Sequence, residues 1–307
     1  MDLSVVATIY NDEGNVAPLV AEIQKHVNTL GVSYEILLVD DFSKDGSRKA
    51  IENVCEQNPE VKGVFLSKNH GQQIAMSAGI NLATGNYVVI MDGDLQNPPA
   101  EIPNLYNEIK KGYDIVYTTS EIRNNFFDQL TSKAFWFLVT TVFKVDIVPN
   151  QLMLKIMTRD FVDKFNKYNE LNRTIEGLLR DISSNYSIIK VTNRKRLSGK
   201  SHYNLFMKIS LMIDLIISLT AKPLDLLLLI SGIIFTSSFF LGIYYLIMYL
   251  FFATPIGYTS LVLAIVFFGS FNSIMIGLVG KYISTIYLES KNRPLFHLDK
   301  TINIHNK

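Results

Sequence analysis

One cysteine and one tryptophan in 307 residues exclude several chemistries at the outset. A lone cysteine, Cys55, cannot build an internal disulfide framework and offers no zinc-ligand spacing. Charge is scarce and balanced, with 29 Lys and Arg against 28 Asp and Glu, a formal net charge of +1. There is no basic stripe with interleaved aromatics, so nothing points to a nucleic-acid partner. The N-terminus, MDLSVVATIYNDE, lacks a basic segment followed by a long apolar one and reads as a strand and turn, not a signal peptide. Phosphate-cradling glycine loops of the GxGxxG and GxxxxGKS/T types are also missing, which excludes the dinucleotide fold and the P-loop.

What the chain has in excess is apolar residues, 48% of the total, with a mean hydropathy of +0.20. They concentrate near the C-terminus. Leu226 to Phe252 and Thr259 to Gly280 contain no charged residue, and about 20 apolar residues suffice to cross a bilayer. The short joint between them, with Pro255 and Gly257, predicts a hairpin with transmembrane helices over 223–252 and 259–283. Lys222 precedes the hairpin, and Lys281, Lys291, Arg293 and Lys300 follow it. Positive charge favours the cytoplasmic side, so residues 1–203 and the 284–307 tail are expected in the cytoplasm, on the inner membrane. Over 204–222, Leu205, Ile209, Met212, Ile213, Ile216 and Leu219 recur at helical spacing. That pattern suits a juxtamembrane helix lying in the interface, although a core helix would show it too.

Residues 1–120 alternate short apolar runs with helix-like stretches: LSVVATIY, YEILLVDD, VKGVFLS, NYVVIMD and YDIVYTT are the strands. Such alternation predicts an α/β domain with a mostly parallel sheet, Rossmann-like, buried on both faces. In these sheets ligands bind beyond the carboxyl ends of the strands. Three of those ends are polar or acidic: Tyr10-Asn11-Asp12-Glu13, Asp40-Asp41 and Asp92-Gly93-Asp94. In extended backbone Asp92, Asp94 and Gln96 fall on one side, while Gly93 lets another group approach closely. Two carboxylates and an amide oxygen are hard ligands suited to Mg²⁺ or Mn²⁺ on a diphosphate. Asp and Gly also favour turns after any strand, so the position beside other acidic strand ends is what gives this triplet weight.

The successive stretches SVVATIYNDE (Ser4–Glu13), ILLVDDFSKDGS (Ile36–Ser47) and YVVIMDGDLQNPPAEIP (Tyr87–Pro103) resemble the signatures of family-two glycosyltransferases of the GT-A fold. RLSGKSHYN (Arg196–Asn204), KPLDLLLLISG (Lys222–Gly232) and the apolar tail narrow the resemblance to the polyprenyl-phosphate glycosyltransferases, over essentially the whole chain. The resemblance implies that Thr8, Tyr10, Glu13, Asp40 and Asp41 hold the nucleoside of a nucleotide-sugar, probed first as a UDP-hexose. It implies that Asp92, Asp94 and Gln96 hold the divalent metal. The acceptor would be a polyprenyl phosphate such as undecaprenyl phosphate, whose headgroup needs cationic positioning. Arg123, Ser132, Lys133, Arg196, Lys200 and Ser201 are the candidates for that cradle, with Arg123 grouped with Asp92 and Asp94 at the reaction centre.

One departure stands out. Where relatives carry an Asp-Phe-Arg-Leu segment, this chain has Met153-Leu154-Lys155-Ile156, which keeps a cation and loses the carboxylate. The implied product is a lipid-linked sugar for cell-envelope glycans, handled onward by a separate flippase and a downstream glycosyltransferase; a homo-oligomer, a tetramer as in relatives, is also implied. Two other readings compete. A catalytically silent membrane-tethered nucleotide-sugar binder would account for the lost carboxylate. A processive polysaccharide synthase should show a Gln-x-x-Arg-Trp motif, whereas the only tryptophan, Trp136, lies in KAFWFL.

Overall fold

Strand β1 (Leu3–Ile9) is buried along nearly its whole length, as a strand with helices on both faces must be. In the computed structural model, which describes residues 1–120, 137–144, 147–170, 175–191, 216, 220, 222–251 and 257–304, β1 lies within an eight-stranded sheet. Its companions are β2 (Tyr34–Asp40), β3 (Val61–Leu66), β4 (Tyr87–Asp92), β5 (Ile115–Ser120), β6 (Gln151–Thr158), β7 (Tyr186–Val191) and β8 (Leu298–Ile302). The order is β7-β5-β6-β4-β1-β2-β3-β8. β4, β1, β2 and β3 run parallel, as the apolar runs predict. β6 enters antiparallel between β4 and β5, and β8 closes the other edge antiparallel to β3.

The first helices follow their strands directly: α1 (Glu13–Val27), α2 (Ser47–Gln57), α3 (Gln72–Leu82) and α4 (Ile102–Ile109). α5 (Arg159–Phe165) and α6 (Ile175–Ile182) come after β6. Two apolar layers enclose the sheet. Val16, Leu19, Ile23, Ile51, Cys55, Leu105 and Ile109 of α1, α2 and α4 pack against Val5, Ala7, Ile36 and Leu38. On the opposite face Ala75, Met76, Phe161, Phe165, Leu178 and Leu179 of α3, α5 and α6 pack against Val6, Val39, Val88 and Ile90. Cys55 sits on its helix, buried, and burial pushes its thiol pKa up to about 12.

Ser4 and Glu35, two buried polar residues of β1 and β2, are paired. The Glu35 carboxylate is fully buried and accepts from Ser4 Oγ, Thr84 N and Lys62 Nζ. Burial alone would raise its pKa, but these donors together hold it below the ordinary value.

Two long helices follow, α7 (Lys222–Phe251, 30 residues) and α8 (Tyr258–Ser290, 33 residues). Among the described residues one stretch, Lys222–Leu241, is long and apolar enough to cross a membrane by length and composition. By that criterion of length and composition the first of the two expected spans qualifies, and the two-helix hairpin is not confirmed. After α8 the chain returns to the α/β domain: β8 pairs with β3, Asn303 Nδ2 donates to Cys55 O (2.9 Å) and Val61 O (2.8 Å), and Lys300 meets Glu52 at 2.8 Å. Reading 284–307 as a plain tail missed this strand, because five residues, LDKTI, are too few for a periodicity to register.

Candidate functional site

The ends of β4, β1 and β2 stand in a row. Thr8 lies across from Asp92 in the β1–β4 ladder, and Ile9 lies across from Asp40 in the β1–β2 ladder. Just past each strand one non-glycine residue takes a left-handed conformation: Asn11 (φ 49°), Phe42 (φ 63°) and Leu95 (φ 58°). Such backbone costs about 1–3 kcal/mol per residue and gathers at functional sites. Leu95 offsets its strain by burying its side chain in the core beside α4. The three turns bound a cleft of about 740 Å³ whose wall includes Thr8, Tyr10, Asp12, Asn15, Asp41, Asn69, Gln72, Asp92, Asp94 and Gln96.

At one end are the two carboxylates. Asp92 accepts from Gln72 Nε2 at one oxygen and from Asn97 Nδ2 (3.0 Å) at the other. Asp94 accepts from the backbone N–H of Gln96 (3.1 Å) and from its side-chain Nε2 (2.5 Å). Burial, and then the neighbouring charge of Asp94, push the Asp92 pKa up to about 6, while Lys155 pulls the other way. Carboxylates that repel each other and are met mainly by neutral amides fit a hard divalent cation, which removes the repulsion. Among the described residues no group of three or more acidic, histidine or cysteine side chains forms a complete cage. Gln96 spends its amide N–H on Asp94, which leaves its carbonyl oxygen as the atom to join the set.

Gly93 does let another group approach closely, as expected. A Cβ there would lie 2.6 Å from Thr8 O and 2.5 Å from Ile9 Cδ1. The group that comes close is the backbone of β1.

At the other end the five residues implied for the nucleoside separate. Thr8, Tyr10 and Asp41 line the cleft, and the Tyr10 ring is 51% exposed, open to a planar partner. Asp41 accepts from His70 N (2.7 Å) and Gly71 N (2.8 Å), tying down the turn where Gly71 (φ 87°) opens α3. Asp40 is fully buried, meets Arg48 Nε at 3.3 Å and accepts from Ser43 N at 3.2 Å. Burial raises the pKa of both carboxyls against these donors. Glu13 stands at the start of α1, outside the cleft wall, with its carboxylate over Gly46. Asp40 thus ties the loop that carries Asp41 through Ser43 N and Arg48. Arg123, Ser132, Lys133, Arg196, Lys200 and Ser201 lie outside the described residues.

Several neighbours of the site were not legible in the motifs. Asn97 was within the quoted stretch, and a polar residue one place beyond Gln96 could have been tested as a donor. Gln72 could have been found from Gly71, since a helix start after a parallel strand points at the same edge. Lys155 stands out as the cation kept at Met153–Ile156, but Glu176, 21 residues further on, carries no local signal, and only the fold joins the two. Lys155 is fully buried on β6, and its Nζ lies 4.0 Å from Glu176 Oε1 in the first turn of α6. The start of α6 is itself held by Gln73, whose Oε1 accepts from Ile175 N (2.9 Å) and whose Nε2 reaches Glu176 Oε2 (3.4 Å).

Residues 4–157 match the family described as Glycosyl transferase family 2. Similar proteins include an uncharacterized glycosyltransferase of Synechocystis, 32% identical, covering 96% of this chain and 94% of that one. An undecaprenyl-phosphate 4-deoxy-4-formamido-L-arabinose transferase of Proteus mirabilis is 31% identical, covering 98% of this chain and 94% of its own length. Among solved structures, glucosyl-3-phosphoglycerate synthase of Mycobacterium tuberculosis with Mn²⁺ and UDP-glucose is 16% identical. It superposes with a TM-score of 0.50, covering 72% of this chain and 78% of that one. The last likeness concerns the fold.

Proposed function

This chain belongs to glycosyl transferase family 2 and is a glycosyltransferase, and we propose that it moves one sugar from a nucleotide-sugar, a UDP-hexose in the first instance, to the phosphate of a long-chain polyprenol. The observation that carries this reading is the cleft itself. Paired carboxylates, Asp92 and Asp94, stand at one end and an exposed tyrosine with a buried aspartate, Tyr10 and Asp41, at the other. Its volume of about 740 Å³ falls within the roughly 300–1,000 Å³ usual for small-molecule sites.

Asp92, Asp94 and the Gln96 carbonyl would hold Mg²⁺ or Mn²⁺, which supplies Lewis-acid neutralisation of the charge that grows on the departing nucleoside diphosphate. Asn97 and Gln72 fix the direction in which Asp92 presents its oxygens, and Gln96 does the same for Asp94. Asp41 keeps the Asn69–Gly71 turn folded beside the donor. A phosphate monoester with a second pKa near ~6 is largely dianionic at neutral pH. Its oxygen attacks the anomeric carbon as the bond to the diphosphate breaks, with inversion and no obligatory protein base. That accounts for activity without a carboxylate at Met153–Ile156, a stretch that forms the middle of β6 with Leu154, Lys155 and Ile156 fully buried.

Three observations support a membrane-bound acceptor. The full-length relative from Proteus mirabilis is named for undecaprenyl phosphate. α7 carries the Lys222–Leu241 stretch, and on α7 and α8 large side chains such as Leu228, Phe240, Phe267 and Ile274 are exposed, as lipid-facing residues would be. The third is the β8–β3 pairing. If α7 crosses a bilayer, the chain must cross back before Leu298 to rejoin the sheet that contains residues 3–191, and α8 is the element that would do so. The basic residues flanking the pair then put both termini in the cytoplasm.

The test is a donor panel. Purified full-length protein is incubated with undecaprenyl phosphate, a divalent cation and radiolabelled UDP-, GDP- and dTDP-sugars, and label is followed into the organic phase. Transfer from one donor is expected. Nucleotide binding without transfer from any donor would leave the silent-binder reading standing instead.

A further inference from the structure

We propose, on the reading that Asp92 and Asp94 hold the donor's divalent cation, that Lys155 is a positioning residue whose buried ammonium weakens binding of the bare cation, so that cation and nucleoside diphosphate enter together. The placement follows from register. Lys155 on β6 lies directly opposite Ile90 on β4, and Ile90 and Asp92 share a face of the sheet. Lys155 is therefore the diagonal neighbour of Asp92, a spacing of roughly 7–8 Å that long side chains bridge.

A lysine here is chemically conspicuous. On its other side the register partner is Tyr117, and Ile90, Lys155 and Tyr117 are all fully buried. Among the described residues Lys155 Nζ makes no hydrogen bond. Its nearest ion-pair partner, Glu176 Oε1, is 4.0 Å away, too far for a directed bond. A buried ammonium is kept only by opposite charge around it. The charge that surrounds this one is Glu176 on one side and the cleft carboxylate Asp92 on the other. Glu176 is not free to turn away, because Gln73 holds both its side chain and the backbone of Ile175. α3 thus links the two, with Gln72 on Asp92 and Gln73 on Glu176.

An ammonium fixed beside the carboxylates does two things. It holds Asp92 and Glu176 in place against their mutual repulsion, and it repels a divalent cation arriving alone. The same ammonium attracts a diphosphate. Cation and diphosphate therefore each improve the other's binding, and Lys155 sets part of that coupling.

The test uses full-length protein in detergent, with Mn²⁺ followed by the electron paramagnetic resonance of the free ion and UDP as the anionic probe. In Lys155→Met, melting at the wild-type temperature, Mn²⁺ alone should bind roughly tenfold tighter, and the enhancement by UDP should shrink by a similar factor. Lys155→Arg should stay close to wild type. Glu176→Gln should weaken binding of Mn²⁺ alone several-fold, and this variant carries the test if Lys155→Met does not fold. A structural lysine predicts the opposite sign: Mn²⁺ affinity unchanged or weaker in a folded Lys155→Met overturns the proposal, as does an unaltered affinity in Glu176→Gln. Wild-type protein that binds no Mn²⁺ even with UDP would instead overturn the metal-site reading on which the proposal rests.

Discussion

Gly93, between the two cleft carboxylates, admits two explanations that a single substitution separates. If its missing side chain leaves room for a ligand, Gly93→Ala should abolish binding and spare the fold. The geometry says otherwise: the added Cβ would meet Thr8 O at 2.6 Å and Ile9 Cδ1 at 2.5 Å. Ile9 Cδ1 is a side-chain end that can rotate, but Thr8 O belongs to the backbone of β1, which two neighbouring strands and the helices on both faces hold. Overpacking of a well-filled core costs typically about 1–3 kcal/mol, and a backbone obstacle puts this case at the upper end. For a domain of this size about 3 kcal/mol lowers the melting temperature by roughly 6–12 °C. Gly46→Ala is the matched control. The three atoms nearest its Cβ all belong to the Glu13 carboxylate, at 2.2–2.4 Å, the far end of a flexible side chain that can swing aside. The control should lose less than about 1 kcal/mol. Thermal melts of purified protein by circular dichroism, with UDP affinity measured on each variant, decide it. A Gly93→Ala variant that melts with the wild type yet fails to bind UDP would refute the packing account.

Other consequences can be measured separately. Glu35→Leu leaves the Lys62 ammonium, the Ser4 hydroxyl and the Thr84 N–H without their acceptor. It should destabilise by about 3–5 kcal/mol in urea unfolding. Because Glu35 titrates below its ordinary value in the fold, its contribution is present above the unfolded carboxyl pKa and is lost as pH falls through the folded value. The Cys55 thiol, pushed up to about 12 from 9.0, works in the opposite sense. Between those values the unfolded thiol ionises and the folded one does not, so stability should fall as pH rises above 9. At pH 8 Cys55 should resist iodoacetamide until denaturant is added; rapid labelling of the native protein would show that it is not buried as described. The topology is tested by fusions. Green fluorescent protein after Lys307 should fluoresce and alkaline phosphatase after Pro255 should be active, and the reverse pattern would contradict the paired crossing.

The parallel half of the sheet was readable because its strands are continuous apolar runs ended by turn residues, as in Val88–Met91 before Asp92. β6, β7 and β8 were not. In Gln151–Thr158 the buried run Leu154–Met157 is interrupted by the charge of Lys155, so it does not read as a continuous apolar strand. The tip of the site was legible for the same reason as the sheet: Tyr10, Asp41, Asp92 and Asp94 are each within three residues of a strand end. Asp40 and Asp41 are adjacent, and neighbouring side chains in extended backbone point to opposite faces, so Asp41 lines the cleft while Asp40 is buried. Gln72, Lys155 and Glu176 reach the site from other elements, and only tertiary packing brings them there.

The most direct measurement of the central claim is sugar transfer to undecaprenyl phosphate by wild-type protein and by Asp94→Ala, side by side, with nucleotide binding followed in both. Asp94 lines the cleft and accepts from Gln96. A glycosyltransferase of the proposed kind gives a labelled lipid product with the wild type, and about 10²-fold less or none with Asp94→Ala, while UDP still binds. Equal transfer by both proteins, or none by either while nucleotide binds, contradicts the account.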